Sequence, residues 1–302
     1  MPAVIETSFS GLSHRGKVRD TYDLGDGLLL MIASDRISAF DVILPTPVPD
    51  KGTILAQMSK FWFDLTRSVM PNHVVGMADD EDALRDIPRT GALAELPPEM
   101  GRRAMVIRRA ERIDIECVVR GYITGAGWAE YTAQGTINQQ PLPPDLLEAE
   151  KFPTPIFTPS TKAEAGHDLP MTPAQVTDMV GAEMARRLEE CALRVYGVGQ
   201  EHAAGRGMII ADTKMEFGLL DGELILIDEL FTADSSRFWA MDDYAPGSSP
   251  PAFDMQFVRN WLLESGWNRE PPAPELPAEV VEITRDRYVQ AFERLTGQTF
   301  VP

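Results

Sequence analysis

The sequence predicts an α+β fold with antiparallel sheets, and two patterns carry that expectation. Short apolar or alternating runs separated by Gly, Asp and Pro fill roughly the first hundred residues, whereas long segments of helical period dominate the end. Strands gathered first and helices later, without strict alternation, argue against a doubly wound parallel sheet. With 302 residues, 44% hydrophobic and 25% charged, the chain can bury the core of one large domain or of two smaller ones.

Residues 18–24, 28–33, 40–44 and 103–109 read as strands. One helix interrupts them: Thr53 is a suitable N-cap, and Ile54, Met58, Phe61, Trp62 and Leu65 recur at helical spacing. A polar link over 108–112 precedes a strand over 113–119, which places a hinge there and divides the chain into lobes 1–112 and 113–302. The proline-rich stretch 141–159 reads as an irregular crossing loop. A long helix follows from a Thr172 cap to Tyr196, with Gly197 ending it. Two further helices are predicted over 253–264 and 278–295, with the proline-rich 270–277 between them.

The net charge of −18 argues against a general surface for nucleic acid or anionic membrane. Cys117 and Cys191 lie far apart with no CxxC motif, so reduced structural thiols and a cytoplasmic setting are expected. Four histidines without HxxxH or HExxH spacing make a zinc enzyme an unsuitable reading. The chain shows neither a basic-then-apolar leader nor an apolar run of membrane-spanning length.

Chemistry concentrates between Ile210 and Glu229, where two strongly apolar strands carry Asp212, Lys214, Glu216, Asp228 and Glu229. Buried carboxylates require a partner or a cation, and oxygen-only clusters beside phosphates suit Mg²⁺. Asp212, Lys214 and Glu216 share parity, so on a strand they point to one face while Met215 and Phe217 point to the other. Asp221-Gly222 marks the turn. A two-residue loop places Glu216 opposite Ile227; a three-residue loop centred on Gly222 places it opposite Asp228 and makes a two-carboxylate site.

Gly11-Leu-Ser-His-Arg-Gly-Lys17 mimics a phosphate loop, but Val18 stands where Ser or Thr is required and an alternating strand follows where a helix must open. The better reading is a glycine turn whose backbone and Lys17 lie over nucleotide phosphates, as in kinase-like folds. Arg36, between Ser34 and Asp41, suits a carboxylate or phosphate. Glu116 and Arg120 share a strand face, either gripping a substrate or forming an internal salt bridge. Lys162, Glu164 and His167 occupy a long loop, and Asp234-Ser-Ser-Arg237 reads as a phosphate-binding turn.

Six segments together resemble the SAICAR synthetase (phosphoribosylaminoimidazole-succinocarboxamide synthase) family. They are Gly16-Lys-Val-Arg-Asp20, Ala33-Ser-Asp-Arg-Ile-Ser-Ala-Phe-Asp41, Val119-Arg-Gly-Tyr-Ile-Thr-Gly125, Pro159-Ser-Thr-Lys-Ala-Glu164, Asp212-Thr-Lys-Met-Glu-Phe-Gly218 and the run from Asp228 through Trp239. The resemblance implies a two-lobed kinase-like or ATP-grasp-like fold with C-terminal helices. It implies an ATP-dependent ligase joining carboxyaminoimidazole ribonucleotide to L-aspartate in purine biosynthesis, working as a monomer or small homo-oligomer. By the same resemblance Gly16, Lys17, Val18 and Arg19 cover the ATP phosphates, and adenine meets backbone around 109–113, including Arg112. Glu216 and Asp228 hold Mg²⁺; Glu116, Arg120, Lys214, Ser236 and Arg237 grip the ribonucleotide; Arg36, Ser38, Asp41, Lys162 and Glu164 serve the aspartate end. Lys214 and Asp212 are the candidate catalytic pair, with Asp212, Glu164 or phosphate oxygens as base for the amine.

Some positions depart from the family pattern. Ala126 replaces a usual Ser, Asp114 a frequent Pro, and Met255 and Asn260 a usual Lys and Asp. A small-molecule kinase on a similar fold and a catalytically silent nucleotide-binding protein are the rival functions.

Overall fold

The computed structural model describes residues 2–162 and 168–302. Strands β1 (Leu12–Arg15), β2 (Arg19–Gly25) and β3 (Leu28–Ala33) form an antiparallel meander. Next, β4 (Ser38–Ala39) and β5 (Val42–Ile43) make a small hairpin. The strand expected over 40–44 is cut short because Phe40 and Asp41 take positive φ, 52° and 65°. Helix α1 (Lys51–Thr66) starts before the expected cap. Asp50 at φ 65° forms the boundary, and Thr53 lies buried inside the helix. After β6 (Val74–Met77), α2 (Ala92–Glu95) and a 3₁₀ turn at Pro98–Arg103, β7 (Ala104–Arg108) completes a five-stranded sheet of order β1-β2-β3-β7-β6.

The second sheet begins with β8 (Glu111–Tyr122), longer than the strand expected over 113–119. Beyond α3 (Gly125–Gln134) and the β9 (Thr136–Ile137) and β10 (Gln140–Pro141) hairpin comes β11 (Lys151–Phe157). This strand corrects the loop expected over 141–159. Pro153 and Pro155 are accommodated because β11 lies on the sheet edge, with its register broken between Lys151 and Ile156. Next comes β12 (Ser160–Thr161), also paired with β8.

The long helix is in fact two. Thr172 caps α4 (Pro173–Val180) in a capping box with Gln175, but Gly181 at φ 81° breaks the chain before α5 (Ala182–Ala204). Gly197 does not end α5. Nearby Gly199 is needed for packing, since a Cβ there would sit 2.5 Å from the Phe231 ring. Strands β13 (Met208–Leu220), β14 (Glu223–Ile227) and β15 (Ser236–Ala240) complete the six-stranded antiparallel sheet, with β13 between β8 and β14. Helices α6 (Gln256–Glu264) and α7 (Ala278–Thr296) close the chain.

One apolar core runs through both sheets, joining Met31, Ile54 and Trp62 to Cys117, Met215, Phe231 and Phe292. The sheets also meet through backbone. Leu226 of β14 donates to the Pro71 carbonyl (2.9 Å) and accepts from His73 N–H (3.1 Å). The end of the acidic hairpin is thereby brought against the N-terminal sheet. Among the described residues no helix is long and apolar enough to cross a membrane.

Candidate active site

The hairpin takes the two-residue turn. Leu220 pairs with Glu223, Asp221 and Gly222 both have positive φ (52° and 83°), and Glu216 faces Ile227. Asp228 therefore does not stand across from Glu216 in the ladder, so the three-residue register is not adopted. Asp228 follows the last residue of β14 and takes φ 65°, which frees its carboxylate from strand alternation. It still lies in the electrostatic field of Glu216, Glu229 and Lys162.

Arg19 holds this end of the site together. Its Nη2 donates to Asp228 Oδ2 at 2.5 Å and to Glu229 Oε1 at 3.3 Å. Burial pushes the Asp228 carboxyl well above the usual range; Arg19 opposes that, and Glu216 and Glu229 add to it. Burial acts on Glu229 as well, but Arg19 and the Thr232 hydroxyl outweigh it and hold that carboxyl low.

One face of β8 and β13 then carries charge on successive rungs. Glu116 pairs with Glu216, Val118 with Lys214, and Arg120 with Asp212, while Cys117, Met215 and Phe217 enter the core behind. Opposed like charges destabilise a sheet, and two lysines remove the conflict. Lys162 Nζ donates to Glu116 (3.1 Å) and Glu216 (2.7 Å), and Lys214 Nζ donates to Glu116 (2.8 Å). Burial works against ionised Glu116, yet both lysines hold its carboxyl below the usual range. Likewise, burial would lower the lysines, but the glutamates hold both ammonium groups above theirs.

The next rung is an arginine bracket. Asp212 Oδ2 accepts from Arg120 Nη1 (2.7 Å) and Arg237 Nη1 (2.5 Å), and Arg120 Nε donates to Thr158 Oγ1 (3.0 Å). Gly125 lets Arg237 approach, because a Cβ there would lie 2.3 Å from Nη2. Arg237 Nε is buried without a hydrogen-bond partner among the described residues. Ser236 is buried and shares a hydrogen bond with the Thr213 hydroxyl at 2.8 Å.

The remaining sequence-predicted residues divide into two groups. Gly16 N–H donates to the Arg19 carbonyl (2.8 Å), the Val18 carbonyl accepts from Ser34, and Lys17 ion-pairs with Asp41. Arg36 supports this turn, donating to the carbonyls of Ile5, Gly16 and Lys17 and to Asp20. Ser38 lies half-buried in β4. Arg112 pairs with Asp114 on an exposed stretch of β8. Glu164 and His167 lie outside the described residues. Sequence reasoning missed His73, whose buried ring lies within reach of the Asp228 backbone and Arg19, and it left Glu229 out of the site. Glu229 carried a signal, an acid ending an Ile/Leu run; His73 carried none. Two surface depressions of about 520 Å³ lie elsewhere, one by Pro49, Leu276 and Arg285 and one by Phe61 and Gln298. Neither contains these groups, so the site is identified by its chemistry.

The SAICAR synthetase family profile matches residues 12–274. The chain belongs to the SAICAR synthetase family. The phosphoribosylaminoimidazole-succinocarboxamide synthase of Methylobacillus flagellatus is 49% identical over 291 residues, covering 96% of this chain and 95% of its own. That of Salinispora arenicola is 50% identical over 289 residues, covering 95% and 98%. The fold superposes on the SAICAR synthase from Saccharomyces cerevisiae complexed with SAICAR, with TM-score 0.87, 38% identity and coverage of 99% and 100%. As a SAICAR synthetase the chain is an ATP-dependent carbon–nitrogen ligase of purine biosynthesis that acts on small molecules. The α+β expectation holds, and the kinase and silent-protein readings give way.

Proposed function

We propose that the chain activates the carboxylate of carboxyaminoimidazole ribonucleotide as an acyl phosphate with ATP and couples it to the amine of L-aspartate, releasing ADP and phosphate. The observation that carries this is the single sheet face on which an arginine bracket and a carboxylate–lysine cluster occupy neighbouring rungs. The SAICAR complex of the yeast relative supports a product of that type here.

The residues divide the work. Arg237, with its unpartnered buried Nε, Arg120 and Ser236 receive the ribonucleotide's anionic groups. Lys214 and Lys162 face the carboxylate being activated and neutralise charge as phosphate is transferred. The Gly16–Arg19 turn, propped by Arg36, covers the nucleotide phosphates, with the adenine around 109–113, where the chain passes from β7 into β8, and the lobe boundary at 112/113, near the start of β8. Ser38 and Asp41 are assigned to the mouth where aspartate enters. Asp212 acts as the bracket for two guanidiniums, which leaves Glu164 or phosphate oxygens of the intermediate to take the amine proton. Exclusion of water protects the acyl phosphate from hydrolysis.

Among the described residues no three His, Cys, Asp or Glu side chains form a metal cage. That suits Mg²⁺, which takes one or two carboxylates and completes its shell with phosphate oxygens and waters. The carboxylates of Glu216 and Asp228, close enough to raise the Asp228 carboxyl together with its burial, fit as its protein ligands; when bound, the ion would supply charge neutralisation at the transferred phosphoryl group. By its acidic composition and its thiols without a CxxC motif the chain is assigned to the cytoplasm as a monomer or small homo-oligomer, without nucleic-acid or membrane partners. The test is ADP release with the ribonucleotide, with and without L-aspartate. ADP formed without aspartate entering the product refutes the coupling.

A further inference from the structure

The turn between β14 and β15 is shaped by its own hydroxyls. Thr232 Oγ1 accepts from the N–H groups of Asp234 (3.3 Å) and Ser235 (3.2 Å), and the Thr232 carbonyl accepts from Ser236 N–H (2.9 Å). The Ser235 carbonyl accepts from Lys214 N–H at 2.8 Å, docking the turn on β13. Its anchorage to the helices comes through Asp234. Asp234 Oδ2 accepts from Lys51 Nζ at 2.6 Å, and Oδ1 accepts from Tyr288 OH at 2.9 Å. Lys51 is the first residue of α1 and fully buried; Tyr288 is fully buried in α7. A lysine is almost never fully buried unless paired. A neighbouring ion pair, Arg285 Nη2 with Asp50 Oδ2 at 2.7 Å, joins the same two helices one turn away on α7.

We propose that Asp234 is a positioning residue for the anion-binding turn. Lys51 and Tyr288 fix it from α1 and α7, so the C-terminal helix sets how Ser236 and Arg237 meet the ribonucleotide. The proposal rests on the assignment of Ser236 and Arg237 to that substrate. Two physical effects carry it. The two bonds to Asp234 hold a turn whose next three residues include both binding groups, and a misplacement of about 1 Å is enough to degrade such a site. Lys51 also neutralises a carboxylate two residues from Ser236 that would otherwise repel an incoming anion. Burial, then Asp234 itself, pushes the Tyr288 phenol well above its ordinary value, which keeps it a donor.

Tyr288→Phe keeps the ring and removes the donor; Lys51→Met keeps the length and removes the charge. Both are assayed with ribonucleotide varied, then ATP varied, beside a melting curve. Tyr288→Phe should raise the ribonucleotide KM about three- to tenfold and leave the ATP KM within about twofold. Lys51→Met should raise it further. Adding Asp234→Asn to Lys51→Met should recover most of that loss, because the amide leaves no unpaired buried charge. Folded Tyr288→Phe protein with unchanged ribonucleotide KM, an equal rise in every KM, or no recovery in the double variant overturns the proposal. Arg237→Ala in the same assay separates the two layers. If it raises the ribonucleotide KM and Tyr288→Phe does not, only the positioning role fails; if it leaves KM unchanged, the site assignment fails and takes the positioning role with it.

Discussion

Asp212→Asn tests whether Asp212 is a bracket or a base. The carboxylate is 4% exposed and holds guanidinium groups of Arg120 and Arg237 on one oxygen. The amide removes the charge between two cations. Breaking a buried pair this way costs about 3–5 kcal/mol. The low end applies because Arg120 keeps Thr158 as a partner and both arginines retain some solvent contact. Unfolding entropy of about 2.1 cal/mol/K per residue over 302 residues gives about 0.6 kcal/mol/K. A loss of about 3 kcal/mol therefore lowers Tm by about 5 °C. On the proposed assignment the ribonucleotide phosphate would return negative charge to the bracket, so saturating ligand should raise Tm more in the variant than in the native protein. Differential scanning calorimetry with and without ribonucleotide reads both quantities. A Tm within about 1 °C of the native value, together with a kcat loss of about a thousandfold at saturating substrates, would refute the bracket and reinstate Asp212 as the proton acceptor.

The carboxylates proposed as metal ligands give a second expectation: Asp228→Asn or Glu216→Gln should cut turnover at least about a hundredfold, and native turnover at saturating ATP in either would remove that residue from the site. Arg237→Ala should weaken ribonucleotide binding by about 2–4 kcal/mol, checked by calorimetric titration; unchanged affinity would exclude it. His73 gives a pH dependence, since burial and then Arg19 press its imidazole down to about 3. A histidine neutral in the fold but protonated below about 6.5 when unfolded stabilises fully above 6.5 and loses that contribution as pH falls toward 3. Between pH 6.5 and 5.5 the native protein should lose about 1 kcal/mol more than His73→Gln in denaturant unfolding; parallel slopes would contradict the buried, neutral state.

What the sequence made legible was local. Parity placed Asp212, Lys214 and Glu216 on one face with Met215 and Phe217 behind, because strand alternation is fixed by backbone geometry. Which turn closed the hairpin was decided by Asp221 and Gly222 both accepting positive φ, and Asp228 entered the cluster by a left-handed turn that no period predicts. Thr53 has the chemistry of a cap, yet Asp50 forms the boundary. Arg36 was read as a ligand-binding arginine, but the chain folds four acceptors around it. Lys51 and His73 are ordinary residues in sequence, and their burial exists only after α1 and the β14 end pack together. Of the departures, Met255 stands just before α6 and is simply core, and Asn260 lies within that helix.

Signs alternate along the β8–β13 face, so the groups proposed to bind ligand already have protein partners. Lys162 spans two glutamates, Arg19 spans Asp228 and Glu229, and Asp212 spans two arginines. Binding is therefore an exchange of partners, and affinity measures the difference between them. Arg237 is the exception, because its Nε is buried with no partner to exchange. An unsatisfied buried donor carries a penalty of about 1–3 kcal/mol, which a ligand acceptor placed there would relieve. A nucleoside lacking the phosphate leaves the penalty in place. If the ribonucleotide phosphate is that acceptor, as proposed, discrimination against the nucleoside arises at the site of Arg237, Arg120 and Ser236, before any difference in the chemistry of the imidazole carboxylate.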